Sequence, residues 1–184
     1  MKQNFKKNKL FYRVTVALFL TSFLFLSGCK KNPSNPLKDF KQVNVVANDD
    51  KYHPLVTDEN FINGWGLSFS PSGIIWASAE GTGLSEIWRN DGSAVFPAVT
   101  IPGATDDAMG GHPSGQVFNS STDFVLPNGN PARFIFAGLD GIISGWNGGP
   151  AAAAAINNSK RGDVYTGLAL ASMEGSNYLY AANF

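Results

Sequence analysis

The sequence predicts an all-β fold, and three observations lead to it. Gly-containing turns recur at short intervals along the 184 residues. Between the turns lie short runs rich in Ile, Val, Phe, Trp and Tyr, the side chains that pack best on a pleated, half-buried surface. The whole pattern also returns on itself.

The first unit reads as four strands joined by tight turns. Leu67 to Ser70 is followed by the turn Pro71-Ser72-Gly73, and Ile74 to Ala79 by Glu80-Gly81-Thr82-Gly83. Leu84 to Arg89 is followed by Asn90-Asp91-Gly92, and the unit closes with Ala94 to Ile101. In the second unit the same order reappears as Gln116 to Phe118, Phe134 to Ala137, the turn Leu139-Asp140-Gly141, Ile142 to Trp146 and the turn Asn147-Gly148-Gly149. The third unit begins at Gly167 and runs to Phe184.

Aligning Gly66-Leu67, Gly115-Gln116 and Gly167-Leu168 gives spacings of 49 and 52 residues. A period of about 50 residues with four strands per unit is the mark of propeller blades. The second run of each unit is apolar and ends in small residues: Ile75 to Ala79, Phe134 to Gly138 and Tyr178 to Ala182. Strands covered on both faces by neighbouring blades carry such continuous runs. A β-sandwich also uses short strands at regular spacing, but it gives no reason for the self-similarity. The expected fold is therefore a partial β-propeller of four-stranded blades, about two and a half of them. An open ring leaves a sticky edge at Phe184, so further blades are expected beyond it, with a strand near Phe40 to Ala47 completing the last blade.

Residues 1–28 have the zones of a secretory signal, starting with Lys2, Lys6, Lys7, Lys9 and Arg13. The apolar run Val14 to Leu26 spans 13 residues, too short for the roughly 20 that cross a hydrocarbon core. Leu26-Ser27-Gly28-Cys29 follows directly, and it resembles the lipobox of bacterial lipoprotein precursors, which marks Cys29 for lipidation. Cys29 is the only cysteine, so no internal disulfide staples the fold. Residues 29–39 are polar and broken by Pro33 and Pro36, as a short tether is, and residues 40–184 form the propeller domain. The expected location is the cell membrane or outer membrane, lipid-anchored and outside the cytoplasm. Lys30 stands where inner-membrane lipoproteins often carry an Asp, which favours the outer membrane where one exists.

Five of the 14 Lys and Arg leave with the signal and none of the 14 Asp and Glu does, so nine cations face 14 anions and the mature charge is −5. Nothing basic remains to suggest a nucleic-acid partner. Lys30 and Lys31 add only about 1 kcal/mol each toward an anionic membrane surface.

Three stretches carry a further resemblance, which covers roughly residues 40–184. They are Asn63-Gly64-Trp65-Gly66-Leu67-Ser68-Phe69-Ser70-Pro71-Ser72-Gly73, then Arg133 to Ala137 with Asp140-Gly141 and Ile143 to Trp146, then Tyr165 to Leu170 with Leu179 to Phe184. The chain resembles an uncharacterised family of secreted proteins predicted to be six-bladed propellers. That family is distantly similar to NHL-repeat and gluconolactonase-like proteins, and some members end in a PEP-type sorting signal. The resemblance implies fold and export and carries no established activity.

In a four-stranded blade, the turn between the second and third strands and the link to the next blade emerge on the same face. Glu80, Asp140 and Asn183 are thereby expected at one mouth of the channel, beside the loop from Gly103 to Gly115 with Asp106, Asp107 and His112. The likeness to gluconolactonases implies a divalent cation there, calcium or a similar hard ion, which would acidify a bound water. The bland reading is that turns use the same residues for their own backbone hydrogen bonds. His53 and His112 are the only histidines, and neither has a Cys or a second His at ligand spacing. No Gly-x-Ser-x-Gly pattern suggests a serine hydrolase, and Gly81-Thr82-Gly83 lacks the rest of a phosphate loop. Trp65, Trp76, Trp88 and Trp146 sit beside or inside strand runs and are expected in the core rather than stacked on sugars. Ala151 to Ala155 reads as an outer strand or loop. The function expected first is a cell-envelope binding or interaction module of unknown ligand. A metal-dependent lactonase or esterase-like hydrolase and a structural surface protein are the alternatives, and no catalytic residue is assigned.

Overall fold

The computed structural model describes residues 41–104 and 110–184. The signal, Cys29, the tether, Asp106 and Asp107 lie outside the described residues. The chain divides after Gln42, and the second unit, Val43–Phe184, holds everything that follows. Among the described residues no helix is long and apolar enough to cross a membrane.

The unit is all-β, and its two four-stranded sheets are antiparallel meanders. β1 (Val46–Ala47) and β2 (Val56–Thr57) form a short parallel pair in a strap that precedes the first sheet. The first sheet runs β3 (Gly64–Phe69), β4 (Ile75–Ala79), β5 (Leu84–Trp88) and β6 (Val99–Thr100), in that order from edge to edge. The second is β7 (Pro113–Phe118), β8 (Phe134–Gly138), β9 (Ile142–Trp146) and β10 (Ala153–Asn157), again in sequence order. A hairpin of β11 (Tyr165–Met173) and β12 (Ser176–Asn183) completes the set. The fourth strand of the first sheet is shorter than the run from Ala94 to Ile101 suggested. Ala94 makes only an isolated bridge to Trp88, and Pro97, lacking an N–H, has nothing to donate to a ladder.

The three units repeat in detail. Each first hairpin carries a register shift at the same place: between Gly64 and Leu67, between Pro113 and Gly115, and between Tyr165 and Gly167. Each is closed by an equivalent backbone bond, from Glu80 N to Asn63 O at 3.1 Å, Leu139 N to His112 O at 2.9 Å and Phe184 N to Val164 O at 2.9 Å. The turn after the second strand then accepts from the outgoing link, Gly83 O from Ile101 N and Gly141 O from Asn158 N, both at 2.9 Å.

First strands lie against one another, β3 on β7 and β7 on β11. The approach is so close that only glycine fits. A Cβ on Gly66 would stand 2.7 Å from Ser114 O, and one on Gly115 would stand 2.6 Å from Leu168 N. Two apolar cores fill the seams. Between the first and second sheets Trp76 stacks on Phe134 at 3.8 Å, with Ile87, Val99, Ile101 and Phe136 buried around them. Between the second sheet and the hairpin lie Leu126, Ile135, Ala137, Ile143 and Tyr165, with Leu168, Leu170 and Leu179 against them. Each large side chain buried this way contributes about 2–3 kcal/mol of transfer free energy. Trp76 and Trp88 are buried as expected, Trp146 packs on the first core, and Trp65 is half exposed.

Candidate functional site

The closing bonds and outgoing links gather polar side chains at one end of the strands. Asn63 precedes β3, Glu80 follows β4 and His112 precedes β7, so a residue of the second unit meets two of the first. Glu80 Oε2 accepts from Asn63 Nδ2 at 2.6 Å, and Glu80 Oε1 lies 2.8 Å from His112 Nδ1. An ionised carboxylate only accepts, so Nδ1 carries the proton in this pair. Nε2 is left without a partner among the described residues, on a ring about half exposed (47 %). Glu80 itself is largely covered, at 15 % exposure, and is held from both sides.

Asn63 has a left-handed backbone, φ 52°. Asn tolerates that region better than other residues with a Cβ, and such conformations collect at sites where side chains must be aimed. Here the conformation brings its amide to Glu80 while its carbonyl closes the first hairpin.

The remaining candidates stand at related strand ends with partners of their own. Asp140 Oδ2 accepts from Ala104 N at 3.0 Å, tying the β8–β9 turn to the link between the sheets. Asn183 Oδ1 accepts from Val164 N at 2.8 Å, and its Nδ2 donates to Asp163 Oδ1 at 3.1 Å. Asp163 also accepts from Tyr165 Oη at 3.2 Å, and Asn158 Nδ2 donates to the same phenol at 2.6 Å. Glu80 and His112 are therefore brought together, whereas Asp140 and Asn183 serve separate local networks. Among the described residues no three His, Cys, Asp or Glu side chains converge as a metal-holding group. His53 closes a short turn in the strap, away from His112 in sequence and with φ 49°.

No protein-family model, curated protein or solved structure matches the chain.

Sequence reasoning expected Glu80 and the His112 loop at one end together with Asp140 and Asn183, and it missed Asn63, Asp163, Tyr165 and Asn158 as members of that end. The signals were present as an Asn-Gly pair at the start of β3 and a Gly-Asp pair before β11. One further group is buried without forming part of this end. Glu86 on β5 is 6 % exposed and its Oε1 has no hydrogen-bond partner among the described residues. Burial first, and the nearby Asp58 second, push its pKa from the ordinary 4.5 up to about 7. Ser144, whose Oγ is likewise unpartnered, holds the equivalent place on β9: Glu86 pairs with Ala77 and Ser144 with Phe136.

Proposed function

We propose that this chain is an extracytoplasmic lipoprotein, anchored through Cys29, whose β-propeller-type blades form a binding module with its ligand site at the strand ends around Glu80, Asn63 and His112. The blade reading is supported by three equivalent first hairpins, each with its register shift, and by glycines where first strands touch. That agrees with the resemblance to secreted propellers. The observation that carries the site is the fixed Asn63–Glu80–His112 chain, which spans two units and presents an exposed imidazole. Outward-facing polar groups held this firmly favour a ligand with hydroxyl or carbonyl groups to share.

A hydrolase acting on lactones or esters is the second reading, and one observation favours it. Glu80 holds the imidazole by Nδ1, which leaves Nε2 to take a proton from water in general-base catalysis.

One experiment addresses both. Thermal shift of the intact lipoprotein in detergent is measured with monosaccharides, aldonolactones, calcium, zinc and manganese, beside Glu80→Gln and His112→Ala, and lactone opening is followed in parallel. A shift lost in both variants supports the binding site, and turnover lost in both supports the hydrolase. Shifts or turnover unchanged in both variants would remove this end of the strands from consideration.

A further inference from the structure

Strand residues alternate between the two faces of a sheet, and β5 shows which of its faces is which. Ser85 bonds to Gln116, and Ile87 lies in one core with Phe134 and Phe136, so both point to the second sheet. Glu86 and Trp88 therefore point the other way, under the strap. Trp88 meets Phe61 of the strap edge-on at 4.9 Å, and Asp58, directly after β2, is the charge that acts on Glu86. Glu86 is 6 % exposed, and its Oε1 has no partner among the described residues.

The strap is tied down beyond both ends of β5, and Glu86 stands at the middle of that strand. Past its end, a Cβ on Gly92 would meet Val56 Cγ2 at 2.8 Å and Val45 O at 3.1 Å, so the turn and the strap are in close contact. Before its start, Thr82 Oγ1 donates to Asn60 O at 2.8 Å, Gly81 N to Ile62 O at 3.1 Å and Glu80 N to Asn63 O at 3.1 Å.

An ionised carboxylate buried without a donor costs several kcal/mol, and nothing around Glu86 offsets that cost. On the strap, Asp58 has the same sign, Lys51 pairs with Asp49 at 2.8 Å, Asp50 accepts from Thr57 Oγ1, and His53 and Glu59 are exposed. On the sheet, Arg89 donates to Ser93 Oγ and Ala94 O, and the cross-strand neighbour of Glu86 is the uncharged Ala77. The neighbouring strands hold Glu86 from the sheet side, so the strap is the cover that can move to let water in.

We propose that the strap is a proton-controlled latch: protonated, Glu86 lies neutral beneath it, and on ionising the carboxylate lifts the strap from the first sheet to reach water. The closed form binds the proton more tightly than the open one, with a pKa of about 7 against the ordinary 4.5. The latch therefore weakens as pH rises between those values and stays weakened above them. Asn63, where the strap runs into β3, donates to Glu80 at 2.6 Å, so opening withdraws it from Glu80 and loosens the end that carries His112. That consequence for a ligand rests on the binding reading of this end; the opening itself does not.

Amide hydrogen exchange of the intact lipoprotein in detergent tests the latch, at pH 5 and pH 8, corrected for intrinsic rates and repeated in urea below the unfolding range. The amides of Glu80 and Gly81, which donate to the strap, and of Leu55 and Val56 within it are expected to exchange at least about tenfold faster at pH 8. Their urea dependence at pH 8 is expected to be far shallower than that of the amides of β8 and β9. Glu86→Gln is expected to abolish the pH effect, and Asp58→Asn to reduce it. His112→Ala alters the candidate binding end without touching the strap and is expected to keep the wild-type pH effect, so the latch and the binding reading fail separately. A pH effect that persists in Glu86→Gln overturns the inference, as do strap amides that exchange only with β8 and β9, at the same urea slope.

Discussion

Gln116 Oε1 accepts a hydrogen bond from Ser78 Oγ at 2.9 Å across the seam between the first and second sheets. The same oxygen accepts from Ser85 Oγ at 3.2 Å, while Nε2 donates to Ser68 Oγ at 3.0 Å and to the carbonyl of Trp76. One buried amide from β7 therefore satisfies groups on three strands of the neighbouring sheet. Buried polar groups are costly only when left unmade, so this knot fixes how the two sheets meet.

Gln116→Ala leaves Ser78, Ser85 and the Trp76 carbonyl without that partner and opens a void. The expected loss is about 3 kcal/mol, read as a lower denaturant midpoint with an unchanged slope.

Glu86 makes stability depend on pH with a definite sign. Its folded pKa of about 7 lies above the ordinary 4.5, so between those values the folded chain binds more protons than the unfolded one and stability falls as pH rises. The penalty is absent below about pH 4.5 and complete above about pH 7. Glu86→Gln is expected to raise stability by about 2 kcal/mol at pH 8 and to change it little at pH 4.5, measured by urea unfolding at both. Equal effects at the two pH values would contradict a buried, raised carboxyl.

Asn63 does two jobs that substitutions separate. Asn63→Gly keeps the left-handed backbone at φ 52° and loses only the side-chain bond to Glu80, for an expected cost of about 1 kcal/mol. Asn63→Ala loses the bond and adds strain, for about 2 kcal/mol. Thermal unfolding of the two variants checks the order.

The repeat was legible because its cause is local. Gly66 and Gly115 stand at one place in their units because two first strands touch there, and that need shows as a spacing in the sequence; Gly167 holds the same place without such a contact among the described residues. Strand ends such as Ile142 to Trp146 were equally plain, bounded on both sides by turns that contain Gly. The site was half legible. Glu80 and His112 each stood out as polar residues at turns, but their contact joins residues 32 apart across a seam between sheets. The strand pattern put that turn and that link at one end, but spacing does not announce which of their side chains touch.

The packing of repeated units through their first strands is tested most directly by comparing the denaturant midpoints of Gly115→Val and Gly167→Val. Gly115→Val places its side chain against the backbone of Gly167 and Leu168, and a loss of about 4 kcal/mol or outright failure to fold is expected. Gly167→Val meets nothing nearer than 3.9 Å within the chain, so the monomer is expected to keep its stability to within about 1 kcal/mol. Two equal midpoints would contradict packing of consecutive units through a first-strand glycine.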